Sequence, residues 1–91
     1  MFGKGQKKGT VKFSFAPGNG SKHIEVAGDF SDWQPMAMKK QKTGGYSVTV
    51  PLSQGNHEYK FVVDGEWVVD PDNNAWALNP YGTLNSVAQV Q

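Results

Sequence analysis

The chain has 91 residues, a net charge of +1 and no cysteine, and these three facts limit what it can be. A chain of this length folds as one small domain around a modest core. Without cysteine it has neither a disulfide nor a thiolate metal site, and it is compatible with a reducing cytoplasm. The near-neutral charge and the absence of arginine argue against a duplex nucleic-acid partner. No stretch is long and apolar enough to cross a membrane.

The first half of the chain alternates short apolar runs with turns. Residues 1–9 predict a flexible basic tail, interpreted as a solvated terminus rather than an electrostatic tether. Residues 10–91 predict the folded domain, with an early turn at 17–20. Strands are expected where apolar and polar residues alternate, at 10–15, 23–28 and 46–50.

Two segments between these strands are less regular. Residues 28–35 form a polar turn with two large aromatics, of which Phe30 is expected to enter the core and Trp33 to face solvent. Residues 36–42 begin with alternating Met36 and Met38 and then carry three lysines. This pattern indicates a short edge strand, because lysine discourages pairing with another chain.

The strongest local signal is the stretch from Tyr59 to Trp67, where apolar runs flank an Asp-Gly pair. This arrangement predicts a β-hairpin with a two-residue type I′ turn. The expected register pairs Val63 with Glu66, Val62 with Trp67, Phe61 with Val68 and Lys60 with Val69. Because side chains alternate across a strand, the core face is Tyr59, Phe61, Val63 and Val68. Lys60 and Trp67 are then left together on the outer face, beside Val62 and Val69, as the first indication of a binding surface.

A long loop over residues 70–82 follows the hairpin and holds Trp76 and Tyr81. Loops of this length are often functional. A last strand is expected over residues 86–91. Roughly six to eight short strands without helical periodicity predict an all-β fold, namely an immunoglobulin-like antiparallel β-sandwich in a single domain. A small five-stranded barrel is the alternative.

No combination of residues predicts catalysis, a cofactor or a metal site. His23 and His57 are the only imidazoles, and neither has a nucleophile or carboxylate at a suitable spacing. Asp70 and Asp72 resemble the start of a calcium loop, but the glycine and glutamate that such a loop needs are missing. Two carboxylates at this spacing in a Pro-Asn loop are more typical of a turn than of a glycosidase.

Aromatic and amide side chains remain as the chemistry available to a ligand. A pyranose presents an apolar face of C–H groups, which an indole ring can cover. Its rim of hydroxyls can be bound by amides, hydroxyls or an ammonium group. Trp33, Trp67 and Lys60 offer this mixture. The residues alone therefore indicate a β-sandwich with a possible carbohydrate-binding face.

Three motifs resemble a known family. They are Gly28-Asp29-Phe30-Ser31-Asp32-Trp33, Tyr59-Lys60-Phe61-Val62-Val63-Asp64-Gly65-Glu66-Trp67 and Tyr81-Gly82-Thr83-Leu84-Asn85. In this order and spacing they resemble the glycogen-binding domain of the AMP-activated protein kinase β subunit. The wider group is the family 48 carbohydrate-binding modules of isoamylases and branching enzymes.

The resemblance covers residues 10–91. It implies an immunoglobulin-like β-sandwich that binds α-1,4-linked glucan (glycogen, starch or maltooligosaccharides) and has no catalysis of its own. The carbohydrate-binding residues carried over by motif are Trp33, Lys60, Trp67, Tyr81, Thr83 and Asn85. Tyr81 stands where the kinase subunit has a leucine that reaches around the sugar chain. Trp76 has no counterpart and is interpreted as a loop anchor rather than a third platform.

Partners follow from the resemblance as well. Family members usually adjoin another domain, so a glycogen- or starch-metabolising enzyme or a kinase is an expected partner. A second class of function stays open, a protein-interaction module or self-associating sandwich without appreciable sugar binding. An exposed pair of tryptophans is also typical of a protein interface.

Overall fold

The computed structural model describes residues 2–5, 8–16, 23–42 and 44–90, and these residues form an almost entirely β structure. The strands are β1 (Phe2–Lys4), β2 (Thr10–Phe15), β3 (Ile24–Gly28), β4 (Met36–Ala37), β5 (Lys39–Lys40), β6 (Tyr46–Pro51), β7 (Gly55–Val63), β8 (Glu66–Val68), β9 (Trp76–Leu78) and β10 (Leu84–Val90). The one helical element in the described part of the chain is a short 3-10 helix, Asp29–Ser31. None of the described segments is a helix that could span a membrane.

Two antiparallel sheets pack face to face. The smaller sheet has the order β1-β2-β6-β5, and the larger has the order β4-β3-β7-β10-β9, with β8 also paired to β7. This arrangement confirms the predicted immunoglobulin-like sandwich and excludes the five-stranded barrel. The long strand β7 lies at the centre of the larger sheet, so it presents one row of side chains to the core and the alternate row to the outer face.

Aromatic rings fill the space between the sheets. Phe13 lies between Phe30 and Tyr59, with ring centroids 5.4 Å and 4.8 Å away. Phe15 stacks on Phe61 at 4.7 Å. Phe13, Tyr59 and Phe61 are fully buried, whereas Phe30, which was expected to enter the core, is partly buried and packs against it. Such rings remove large apolar areas from water, which compensates for the short strands.

The predicted hairpin is confirmed in three of its four predicted pairs, and β8 ends at Val68, before the fourth predicted pair of Lys60 with Val69. Val63 pairs with Glu66, Val62 with Trp67 and Phe61 with Val68. The two turn residues, Asp64 and Gly65, have φ of 48° and 89°, as a type I′ turn requires. One strand of the hairpin therefore sends Tyr59 and Phe61 inward and leaves Lys60 on the outer face.

The segment over residues 36–42 differs from the single edge strand that the sequence predicted. Met36–Ala37 pair with β3 in the larger sheet, whereas Lys39–Lys40 pair with β6 in the smaller one. Met38, between them, is buried and donates its backbone N–H to the carbonyl of Ile24. The chain crosses from one sheet to the other at Met38, because the apolar side chain of Met38 is buried in the core between the two sheets.

Two further differences lie near the ends of the chain. Phe2–Lys4, within the predicted tail, form β1 and pair with β2, because the ring of Phe2 packs on Tyr59 at 6.3 Å. The predicted loop over 70–82 contains β9, and the last strand begins at Leu84 rather than Ser86. The predicted turn at 17–20 lies outside the described residues.

A buried polar network holds the segment that leads from the hairpin to β9. The Tyr59 hydroxyl donates to Asp70 at 2.6 Å and accepts from the Asn73 amide at 3.1 Å. The same amide donates to the carbonyl of Val87, and the Asp70 N–H donates to the Ser86 hydroxyl at 2.8 Å. Burial, followed by the bond to Asp70, raises the pKa of the Tyr59 phenol far above its usual value. No buried side-chain polar atom of the described residues lacks a partner.

Candidate functional site

The outer face of β7 carries the polar part of the site. Tyr59 and Phe61 point into the core, so Glu58 and Lys60 point away from it. The Lys60 ammonium donates to the hydroxyl of Thr83 at 3.2 Å. This contact joins the centre of the sheet to the turn before β10.

The Trp67 ring lies beside this row of side chains. The hairpin pairs Trp67 with Val62, and its side chain is 48% exposed. Val62 is almost fully buried even though it belongs to the outer face. Burial of Val62 beside Trp67 gives the indole an apolar support, while about half of Trp67 stays exposed to solvent.

Trp33 reaches the site from a strained turn. It follows the 3-10 helix, and Asp32 and Trp33 have left-handed φ of 52° and 60°. Positive φ is unfavourable for a bulky residue and persists only where its surroundings enforce it. The Trp33 N–H donates to the carbonyl of Gly28 at 2.9 Å. The half-buried ring lies 6.5 Å from that of Trp67, and the two planes meet at 47°.

Gly28 and Asp29 fix the origin of this turn. A Cβ on Gly28 would lie 2.5 Å from the backbone oxygen of Glu58 and would overlap the ring of Phe30, so only glycine fits. The Asp29 carboxylate accepts the Glu58 N–H at 2.9 Å and lies 3.1 Å from Nδ1 of His57. The turn that carries Trp33 is therefore attached to β7 itself.

Asn79 organises the opposite wall. Its side-chain oxygen accepts the backbone N–H groups of Tyr81 and Thr83, each at 3.0 Å. Its amide nitrogen donates to the Thr83 hydroxyl and to Asn85 Oδ1. One side chain thus shapes the whole turn from 79 to 83 and links it to β10.

Asn85 lies at the floor of the site. Its side chain is 5% exposed, and its amide donates to Glu58 at 2.9 Å. An amide has two N–H groups and two lone pairs, so these bonds to described residues use one donor and one acceptor position and leave one of each. Tyr81, in contrast, is 91% exposed at the rim.

These elements enclose a shallow cavity of about 550 Å³. All six residues of the predicted site line it, which brings together side chains from the 3-10 turn, the hairpin and the last loop. Their role in binding stays a prediction. Four further residues line the cavity outside the six predicted ones, namely Asp29, Glu58, Asn79 and Pro80. The alternation of side chains along a strand places Glu58 on the same face as Lys60, because it lies two positions before it.

The residues considered for other chemistry lie elsewhere. Asp70 is buried and bonded to Tyr59, so it is not a free catalytic carboxylate. His57 faces Asp29 and the carbonyl of Ser53. Trp76 is 54% exposed on β9 and does not line the cavity, so neither the anchor nor a third platform in this site describes it. The described residues contain no cluster of three or more His, Cys, Asp or Glu that could hold a metal ion.

A β-sandwich that presents two tilted indoles beside amide, hydroxyl and ammonium groups defines a carbohydrate-binding module. Comparison with known proteins identifies the family. The model of the glycogen recognition site of AMP-activated protein kinase matches residues 10–91, and the chain belongs to this family.

Individual relatives agree with this assignment. The chain is 31% identical over 72 residues to 5'-AMP-activated protein kinase subunit beta-1 of Sus scrofa, covering 79% of this chain and 57% of that protein. It is equally similar to subunit beta-2 of Mus musculus, of which it spans 26%. A maltogenic amylase structure from S. marinus superposes with a TM-score of 0.76 at 26% identity, covering 90% of this chain and 13% of the amylase chain. The chain thus spans only part of each relative.

Proposed function

We propose that this chain is a non-catalytic module that binds α-1,4-linked glucan in the cavity between Trp33 and Trp67. The observation that carries the proposal is the 47° angle between the two indoles. Successive glucose units of an α-1,4 chain turn relative to one another, whereas a flat chain needs coplanar platforms. A tilted pair of indoles is suited to the curved chain of glycogen, starch or a maltooligosaccharide.

Polar groups at the floor and rim would bind the sugar hydroxyls. Lys60 and Asn85 lie between the platforms and the turn from 79 to 83, where they can bond the 2- and 3-hydroxyls. Thr83 and the exposed Tyr81 would close one side of the sugar chain. Asp29 and Glu58 add carboxylate acceptors, which match hydroxyl donors.

The expected affinity is low. Two stacking contacts and a few hydrogen bonds that exchange with water contribute roughly 1 kcal/mol each. Dissociation constants are therefore expected in the range of about 1 μM to about 1 mM, and binding should tighten with the length of the oligosaccharide.

Titration with maltoheptaose, followed by calorimetry and tryptophan fluorescence, tests the proposal. Saturable binding that cello-oligosaccharides of equal length do not reproduce is the expected result. The absence of binding at about 1 mM maltoheptaose, the upper limit expected for such contacts, would refute it.

The partners and location form a second part of the proposal. The relatives are subunits of a kinase and parts of longer proteins, which supports an association of this module with a kinase or with a glycogen- or starch-metabolising enzyme. A cytoplasmic location is proposed on the absence of cysteine. Nucleic acid and membrane are not proposed as partners.

A protein-interaction module without appreciable sugar binding is the alternative function. It is favoured by the exposure of Trp67 and Tyr81, at 48% and 91%, since aromatic side chains of this kind also anchor protein interfaces. Light scattering with and without maltoheptaose separates the two functions. Dissociation of an assembly by maltoheptaose would mean that protein association and sugar binding share the Trp33–Trp67 face.

A further inference from the structure

Strand β9 and the first residue of β10 carry an exposed apolar surface away from the cavity. Trp76, Leu78 and Leu84 are 54%, 73% and 41% exposed, and with Trp67 and Tyr81 they are the large exposed hydrophobic side chains of the described residues. The proposed glucan site uses Trp67 and Tyr81 but leaves the other three unexplained.

These three side chains lie on the side of the sheet that is opposite to the cavity. Trp76 pairs with Ser86, and Ser86 pairs with Tyr59, whose ring is in the core. Paired residues point to the same side of a sheet. Leu78 and Leu84 are paired with each other on that side as well. None of the three belongs to the core cluster, so β9 and the start of β10 extend past the part of the sheet that the core covers.

No strand of the described residues pairs with the outer edge of β9, so its backbone is also open there. The carbonyl of Ala75 accepts from Val87 and the N–H of Asn79 donates to Thr83, so the odd-numbered residues direct their hydrogen bonds towards β10. In an antiparallel ladder the alternate residues point the other way. The N–H and C=O groups of Trp76 and Leu78 therefore face outward, and β9 is the last strand of its sheet.

The other sheet ends have features that discourage pairing. The end strand β5 consists of two lysines, and β4 has two residues directly after Pro35. The end strand β1 has glycine at position 3, which offers no side chain to pack against a second strand. Lysine, proline and short length are the usual means of protecting a sheet edge. The end strand β9 reads Trp-Ala-Leu and carries no charge.

We propose that β9 is a self-association edge, which pairs antiparallel with β9 of a second copy of this chain. A register centred on Ala77 places Trp76 of one copy opposite Leu78 of the other. All four outward N–H and C=O groups of each copy are then satisfied, because Trp76 and Leu78 are the residues that direct them outward. The exposed Trp76 and Leu78 side chains cover one another on the core side of the joined sheet.

The size of this contact predicts a weak dimer. Three residues of each strand and a few large side chains bury less than the roughly 1,200 Å² of a stable interface. The dimer is therefore expected to form only at high protein concentration or on a polyvalent ligand.

The symmetry of this pairing has a consequence that rests on the proposed glucan function. Two antiparallel strands of one sheet are related by a two-fold axis perpendicular to the sheet. Both outer faces, and hence both Trp33–Trp67 cavities, then point in the same direction. A dimer would present two glucan sites to one glycogen surface, and bivalent attachment raises the apparent affinity without any new sugar contact.

Sedimentation equilibrium over a concentration series of about 10 μM to about 1 mM, the range expected for a contact below standard size, tests the pairing. The mass should rise from the 10.0 kDa monomer towards twice that value. The double variant Trp76→Lys/Leu78→Lys should stay at the monomer mass, since edge lysines block pairing. Leu78→Pro is a second variant, which removes an outward N–H and none of the N–H groups that bond to β10, and it too should stay at the monomer mass. Thr49→Lys is the control on an exposed position of β6.

The outcomes separate the dimer from the glucan site. A wild-type chain that stays monomeric throughout, or a double variant that dimerises as the wild type does, would overturn the proposal and leave maltoheptaose binding untouched. Where both proposals hold, the double variant should bind glycogen at least about tenfold more weakly and maltoheptaose equally well. A folded Trp67→Ala variant should still dimerise, whatever its affinity for sugar.

Discussion

The indole rings of Trp33 and Trp67 lie 6.5 Å apart and meet at 47°, although they come from separate segments of the chain. A different backbone feature positions each ring. A left-handed backbone at Asp32 and Trp33 positions the first ring, and the register of a β-hairpin positions the second. The angle between two independent elements thus determines the shape of ligand that both rings can cover at once.

Removal of either platform should weaken binding without unfolding the chain. Trp67→Ala is expected to lower the affinity for maltoheptaose by about fivefold to tenfold, which corresponds to about 1 kcal/mol of stacking. Calorimetry measures the loss. Trp76→Ala is the matched control, because Trp76 is similarly exposed but lies outside the cavity. Equal loss in both variants would show that the cavity is not the sugar site.

Gly28 should tolerate no side chain. Gly28→Ala would place a Cβ against the Glu58 backbone oxygen and the Phe30 ring, so we expect a destabilisation of about 1–3 kcal/mol in urea unfolding. Gly3→Ala is the control, because a Cβ there meets no atom within 4 Å. Equal stability of the two variants would contradict the close approach of Gly28 to the Glu58 backbone and the Phe30 ring.

Asn79 should matter for binding through the turn that it holds. Asn79→Ala removes both acceptor contacts to the backbone at Tyr81 and Thr83 and frees this turn. We expect a severalfold loss of affinity, since ordering the turn then costs free energy on binding. Asn74→Ala, at an exposed position outside the cavity, should bind as the wild type does. An unchanged affinity of the Asn79 variant would show that the turn does not contribute.

The Tyr59 phenol should make stability depend on alkaline pH. The pKa of Tyr59 in the folded chain is raised above its ordinary value of about 10, so the folded chain keeps a proton that the unfolded chain loses. This stabilisation is complete below about pH 10 and falls as the pH rises further, by about 1.4 kcal/mol per pH unit.

The variant Tyr59→Phe isolates this contribution from the titration of the lysines. It should be less stable at neutral pH by about 1–3 kcal/mol, because Asp70 loses a buried donor. Urea unfolding at a series of pH values measures the difference between the two chains. That difference should shrink above about pH 10. A difference that stays constant with pH would contradict the role given to the phenol.

Local signals were sufficient for the hairpin and for the class of fold. The Asp64-Gly65 turn and the alternation of apolar residues determine the pairing of Phe61, Val62 and Val63 with β8, as predicted. These features depend on neighbours in sequence, because a two-residue turn leaves one register in which one face is apolar. The same alternation sent Phe13 inward and Lys60 outward.

Contacts between distant segments decided what local patterns missed. Phe2 joins the smaller sheet because its ring finds Tyr59, and Met38 marks a change of sheet because it reaches the core. The end strand β9 forms only because β10 offers a partner for it. The sequence of one segment does not show whether a distant segment will pair with it, since sheet propensity depends on context.

The sequence by itself determined the hairpin and the sandwich, since turn chemistry and two-residue periodicity act locally. The six candidate site residues followed from the resemblance to the family, and their role in binding stays a prediction. The tertiary structure decided that six side chains from three separate segments line one cavity of about 550 Å³. It also decided that Asn79 and Gly28 hold the walls of that cavity, and that Trp76 lies on the other side of the sheet. These are distances between remote parts of the chain, and only the packing of the sheet and its loops sets them.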